Sequence, residues 1–149
     1  MQKAYKYSIL YFLLFSILLL ISSVLLFEEK IGFSVSGVLD YYLGNEEKFI
    51  TAKSTAGVLK IILPHVFVFA LFVMVVLHFL IFTKHKHTQK MKWLIYVSFF
   101  IAFGELFSPL LILYGLEFFA YIKLVSFVLF ELLFLYLFWL LFESIIFST

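Results

Sequence analysis

The sequence predicts an all-α integral membrane protein, a bundle of four transmembrane helices with both ends on the cytoplasmic side. Three observations lead there. Of the 149 residues, 65% are hydrophobic and only 13% charged; four apolar stretches are each long enough to cross a bilayer; and lysine is concentrated on one side of the hairpins they form. Soluble domains are roughly half apolar and about a quarter charged, so water is not the main solvent of this chain. The 22 Phe and 9 Tyr supply much of the apolar surface, and stiff aromatic rings suit a lipid-facing bundle.

A span must cover a hydrocarbon core of about 30 Å at about 1.5 Å per residue. The stretches that do so are residues 8–27, 61–82, 93–116 and 118–142. The first follows Lys3 and Lys6, as a signal peptide would. It is long for a signal core, however, and no small-x-small cleavage site precedes Glu28, Glu29 and Lys30, so it reads as a retained anchor. Trp93, Tyr114, Tyr121 and Trp139 lie near segment ends, where amphipathic rings belong. Lys123, at the start of the fourth span, is placed to snorkel to the interface.

Orientation follows from the short flanks. Lys3 and Lys6 precede the first span, and the loop 83–92 carries Lys84, Lys86, Lys90 and Lys92 without an acid. Those sides face the cytoplasm, which makes the chain a multi-pass protein of the cell inner membrane. The outer loop 28–60 lacks such an excess. In it Ser36 is placed to cap a short helix through Leu43 that Gly44 ends, and Asn45, Glu46 and Glu47 to start another; both are expected at the membrane surface. Ser54 and Thr55 read as the start of an extended second helix.

Several function classes drop out. Without Cys there are no disulfides, thiolate metal sites, iron–sulfur clusters or covalently attached haem. The eleven basic residues are all Lys and scattered, so nucleic acid is not a partner. No phosphate-cradling glycine motif, nucleophile elbow or His pair at four-residue spacing is present.

Ionisable groups inside spans are informative, because a charge near the bilayer centre is costly and needs protein or water around it. They are His65, His78, Glu105 and Glu131, with Glu143 at the inner end of the fourth span. Measured from the outer ends, His65 lies about 6 Å deep, Ser22 and Ser23 about 6–8 Å, Ser108 about 12 Å, Glu105 about 16 Å and Glu131 about 10–20 Å. All four helices thus send polar groups into the outer half. An imidazole and two carboxylates suit a divalent metal ion, or the same groups relay protons; His65, Glu105, Glu131 and Ser108 form the candidate site. Pro64 is expected to kink the second helix beside His65, and Pro109 to free the carbonyl of Glu105, with Ser108 the nearest hydroxyl to answer it. His78 and Glu143 form a candidate inner pair.

Two other readings compete. His65 and His78, thirteen positions apart, resemble the spacing that holds b-type haem, although the two imidazoles then point about 140° apart and a homodimer, another subunit or a different axial ligand is required. Alternatively the polar groups lock helices together in a structural or assembly subunit without a cofactor. His85 and His87 read as a solvated basic loop near lipid headgroups. The leading expectation is a small inner-membrane protein with a buried His/Glu site, serving within a larger redox or transport complex of membrane or periplasmic subunits.

Overall fold

The computed structural model of the chain describes residues 3–83 and 88–146. Four long helices form the bundle: α1 (Lys3–Lys30), α3 (Thr55–Phe79, continued by a 3-10 turn over Leu80–Phe82), α4 (Gln89–Leu113) and α5 (Phe119–Ile146). Each is long and apolar enough to cross a membrane. A short helix, α2 (Val35–Leu43), lies between α1 and α3. His85 and His87, with Lys84 and Lys86, fall outside the described residues.

The helices outrun the apolar stretches because caps, not hydropathy, stop them. Ser54 accepts the Gly57 amide at 3.1 Å and starts α3 one turn or more before residue 61. Thr88 does the same for α4, accepting the Met91 amide at 3.3 Å. The third span ends earlier than residue 116. Gly115 adopts φ 86° and its amide reaches the Ile112 carbonyl at 2.9 Å, while the Leu116 amide reaches that of Leu111 at 3.1 Å. This pair of bonds needs a left-handed residue at its turn, which glycine supplies.

Two expectations for the loop are corrected. Ser34, not Ser36, caps α2, because its extended backbone points the hydroxyl at the Gly37 amide, 3.0 Å away. Gly44 does end α2. Beyond it no second helix forms: residues 45–50 fold into a tight turn closed by an antiparallel bridge between Asn45 and Ile50. Asp40 accepts from the Asn45 side-chain amide (2.8 Å) and the Lys48 ammonium (2.6 Å), while Asn45 Oδ1 accepts the Lys48 backbone amide at 3.2 Å, so the cap bond forms but the chain closes back on itself instead of continuing as helix.

α5 is the axis of the bundle. Half of its apolar window is buried, against 17% for α3, which lies at the edge and packs mainly on α4. The apolar interior divides into two clusters. At the α2 end, Phe27, Val38, Tyr42, Val58, Ile62, Ile112, Ala120 and Phe127 pack together, with Phe27 and Phe127 stacked at 3.9 Å. Toward the other end, Leu20, Val73, Val76, Ile101, Phe130, Phe134 and their neighbours form the larger cluster. Phe69 stacks on Phe130 at 4.8 Å and Phe72 on Phe134 at 5.0 Å. Between these clusters each of α1, α4 and α5 switches from apolar to polar residues facing inward.

Candidate functional site: a polar layer between two apolar clusters

The seam holds Ser23 on α1, Glu105 and Ser108 on α4, and Lys123, Ser126 and Glu131 on α5. Glu105, Lys123 and Glu131 are 8%, 7% and 8% exposed, so all three are inside the protein. Their spacing puts them there: Ser108 follows Glu105 by nearly one turn on α4, and Lys123, Ser126, Phe127, Phe130 and Glu131 recur at intervals of three and four on one face of α5.

Lys123 does not snorkel. Its ammonium lies 2.5 Å from Glu105 Oε1 and donates to the Glu105 backbone carbonyl at 3.0 Å. Pro109 is the reason for the second bond. A helix carbonyl at position 105 awaits the amide of residue 109, which proline lacks, so the carbonyl is free for an outside donor. The reading that Ser108 fills this role is corrected: the Ser108 hydroxyl bonds to the Gly104 carbonyl. A lysine one turn into α5 has the reach to meet Glu105, and pairing two opposite charges in an apolar interior is far less costly than leaving either alone. Lys123 is the member of this layer that sequence reasoning missed, and the signal is present: an acid and a base in neighbouring spans joined by a short turn.

The remaining carboxylate oxygen, Glu105 Oε2, is buried and has no donor among the described residues. Glu131 lies within electrostatic reach of Glu105 and is bonded to the Ser23 hydroxyl. That hydroxyl also sits 2.8 Å from the Leu20 carbonyl. A hydroxyl has one proton, so two arrangements exist. Either Ser23 donates to a Glu131 carboxylate, or Ser23 donates to Leu20 and a protonated Glu131 donates to Ser23.

The histidines are elsewhere. His65 is exposed on α3, its Nδ1 2.6 Å from the Ile61 carbonyl one turn back, and α3 continues as helix through Pro64. His65 feels the charge of Glu105 but does not bond to it. His78 also faces out of the bundle, against the Phe79 ring, and no bond or ion pair joins it to the half-buried Glu143. Among the described residues no three His, Asp or Glu side chains are gathered as a metal ion requires. Thus His65 does not complete a ligand set with Glu105 and Glu131. The peripheral position of α3 turns its imidazole outward, and Lys123 takes the place of a cation beside Glu105.

Above the layer, α2 closes the end of the bundle. Tyr42 is 5% exposed. Burial, and secondarily the charge of Glu105, pushes its hydroxyl pKa well above the usual phenol range.

Four apolar helices enclosing a buried ion pair define a multi-pass membrane protein with a polar layer in its interior. The chain belongs to the Aq_1264_TM family, a transmembrane helical domain, which matches residues 32–149. That region takes in α2 to α5, and so includes Glu105, Lys123 and Glu131, but leaves α1 with Ser23 outside. No curated protein and no solved structure matches the chain.

Proposed function

We propose that this protein is a subunit of the cell inner membrane, both ends cytoplasmic, that handles protons at Glu105, Lys123 and Glu131 within a larger redox or transport complex. One observation carries the reading: a buried acid–base pair with an acid oxygen, Glu105 Oε2, left without a donor among the described residues. A purely structural lock has its buried polar atoms bonded, and an orphaned one calls for another explanation. In a low dielectric the ion pair and its neutral counterpart, formed when the Lys123 ammonium passes a proton to Glu105 Oε1, approach each other in energy. A further proton is taken up at Oε2 as the Oε1 proton returns to the Lys123 amine, leaving a neutral Glu105 beside an ammonium, and Glu131 with Ser23 is the next acid along the seam. The basic sequence 83–92 supports the orientation, since the end of α3 and the start of α4 that it joins lie at the opposite end of the bundle from α2.

Proton flux into proteoliposomes, driven by a potassium diffusion potential and followed with an enclosed pH-sensitive dye, tests this. Glu105→Gln and Glu131→Gln are expected to reduce flux toward that of protein-free vesicles. Equal flux in wild type and both variants counts against the proposal.

A second reading has its own observation. The His65 Nδ1 contact to the Ile61 carbonyl leaves Nε2 outward on the exposed face of α3, an arrangement that suits an imidazole ligating iron. Haem would then be held between chains of a homo-oligomer or by another subunit. A visible absorption spectrum of protein produced with haem supplied decides it: no Soret band removes this reading.

A further inference from the structure

Glu105 and Lys123 lie near the α2 end of the bundle, eight residues before the last of α4 and four after the first of α5. Ser108 lies between Glu105 and that end of α4, and Ile112 continues the line. On α5, Ala120 is the smallest side chain of the apolar cluster that also holds Ile112 and Tyr42. α2 packs on both α4 and α5, with Val38 fully buried and Tyr42 nearly so. A phenylalanine would pack as well. The Tyr42 hydroxyl instead makes no hydrogen bond among the described residues, and it stands close enough to Glu105 to feel its charge. Nor is α2 built into a long helix: it is nine residues, joined to α1 and α3 by segments without regular helix.

We infer that Tyr42 is the gate of the Glu105–Lys123 site, its ring covering the Ala120–Ser108 seam between α4 and α5 and swinging aside to admit water to Glu105 Oε2. Water is the ligand class that fits, because Oε2 needs a hydrogen-bond donor small enough to pass between two packed helices. The inference rests on the layer being a proton site, and it names the side from which protons come. In the covered state the acid–base pair is sealed; in the uncovered state Oε2 is continuous with the water at the α2 end.

The chain has no cysteine, so Ser108→Cys places one thiol on the route without background. The protein in lipid vesicles is treated with a small membrane-impermeant methanethiosulfonate and modification is followed by mass. Ser108→Cys alone is expected to react slowly and Tyr42→Phe/Ser108→Cys to stay slow, since the ring remains. If the uncovered state is at most about 10% populated, Tyr42→Ala/Ser108→Cys reacts about tenfold faster or more. Val76→Ala, which opens the other apolar cluster, is the control for general loosening. No acceleration in Tyr42→Ala, or an equal acceleration in Val76→Ala, overturns the gate. Either result leaves the flux test of Glu105 and Glu131 unaffected, so the two failures are distinguishable.

Discussion

Lys123 bonds to Glu105 twice, to the carboxylate at 2.5 Å and to the backbone carbonyl at 3.0 Å. The second bond exists because Pro109, four residues on, has no amide to offer that carbonyl. One lysine therefore neutralises a buried acid and repairs the helix defect beside it.

Removing the lysine alone leaves a buried acid uncompensated. Lys123→Met is expected to lower stability by about 3–5 kcal/mol, and Glu105→Gln/Lys123→Met to recover much of it. Pro109→Ala restores the amide to the Glu105 carbonyl, so Lys123→Met costs less by about 1 kcal/mol in that background. Thermal unfolding of the purified variants completes both cycles; strict additivity of Pro109→Ala and Lys123→Met contradicts the double role.

Ser23 links α1 to the layer through a single hydroxyl. Ser23→Ala leaves the Glu131 carboxyl without its partner and is expected to cost about 1–3 kcal/mol. Glu131→Gln keeps a group that bonds to the hydroxyl and costs less. A neutral Ser23→Ala in the same unfolding measurement shows that the contact does not hold α1.

Close approach of α4 and α5 depends on Gly104. A Cβ there comes within 2.7 Å of the Ser126 hydroxyl oxygen, an atom able to turn away. Gly104→Ala is therefore mild, whereas Gly104→Val pushes the helices apart at the level of Glu105 and Lys123 and costs about 1–3 kcal/mol. Ser126→Ala is expected to return part of that loss.

The turn 45–50 is acid-sensitive. Lys48 first, and Asn45 second, hold the Asp40 carboxyl below its ordinary value of 3.8. A depressed acid supports the folded turn fully above that value, and the support is lost as pH falls below it through the lower pKa of the folded state. Protection of the Ile50 amide, corrected for intrinsic exchange, is expected to drop as pH is lowered through this range. In Lys48→Met protection is already low and nearly flat with pH.

Much of the fold was legible because hydropathy runs report spans directly, and the depth of Glu105 and Glu131 followed from counting along them. Helix ends were less so: Ser54, Thr88 and Gly115 set them through local hydrogen bonds that hydropathy does not register. Rotation about each helix axis was the missing quantity for the site. Depth alone put His65 beside the glutamates, but α3 sits at the edge and turns it outward. The same ignorance hid Lys123, whose position near a span end suits an interfacial lysine and a buried one equally; only the packing of α5 against α4 decides between them. Ser34 against Ser36 is a choice between neighbouring caps that only backbone dihedrals make.

On the proposed function, the carboxyls of the polar layer change protonation inside the membrane. Infrared difference spectra of the reconstituted protein, recorded as pH is stepped and repeated in deuterated water, test it most directly. A protonated-carboxyl band is expected that rises and falls reversibly with pH, shifts in deuterated water, and is lost or altered in Glu105→Gln and Glu131→Gln. A wild-type spectrum without such a band, or one that neither pH nor those substitutions change, contradicts it.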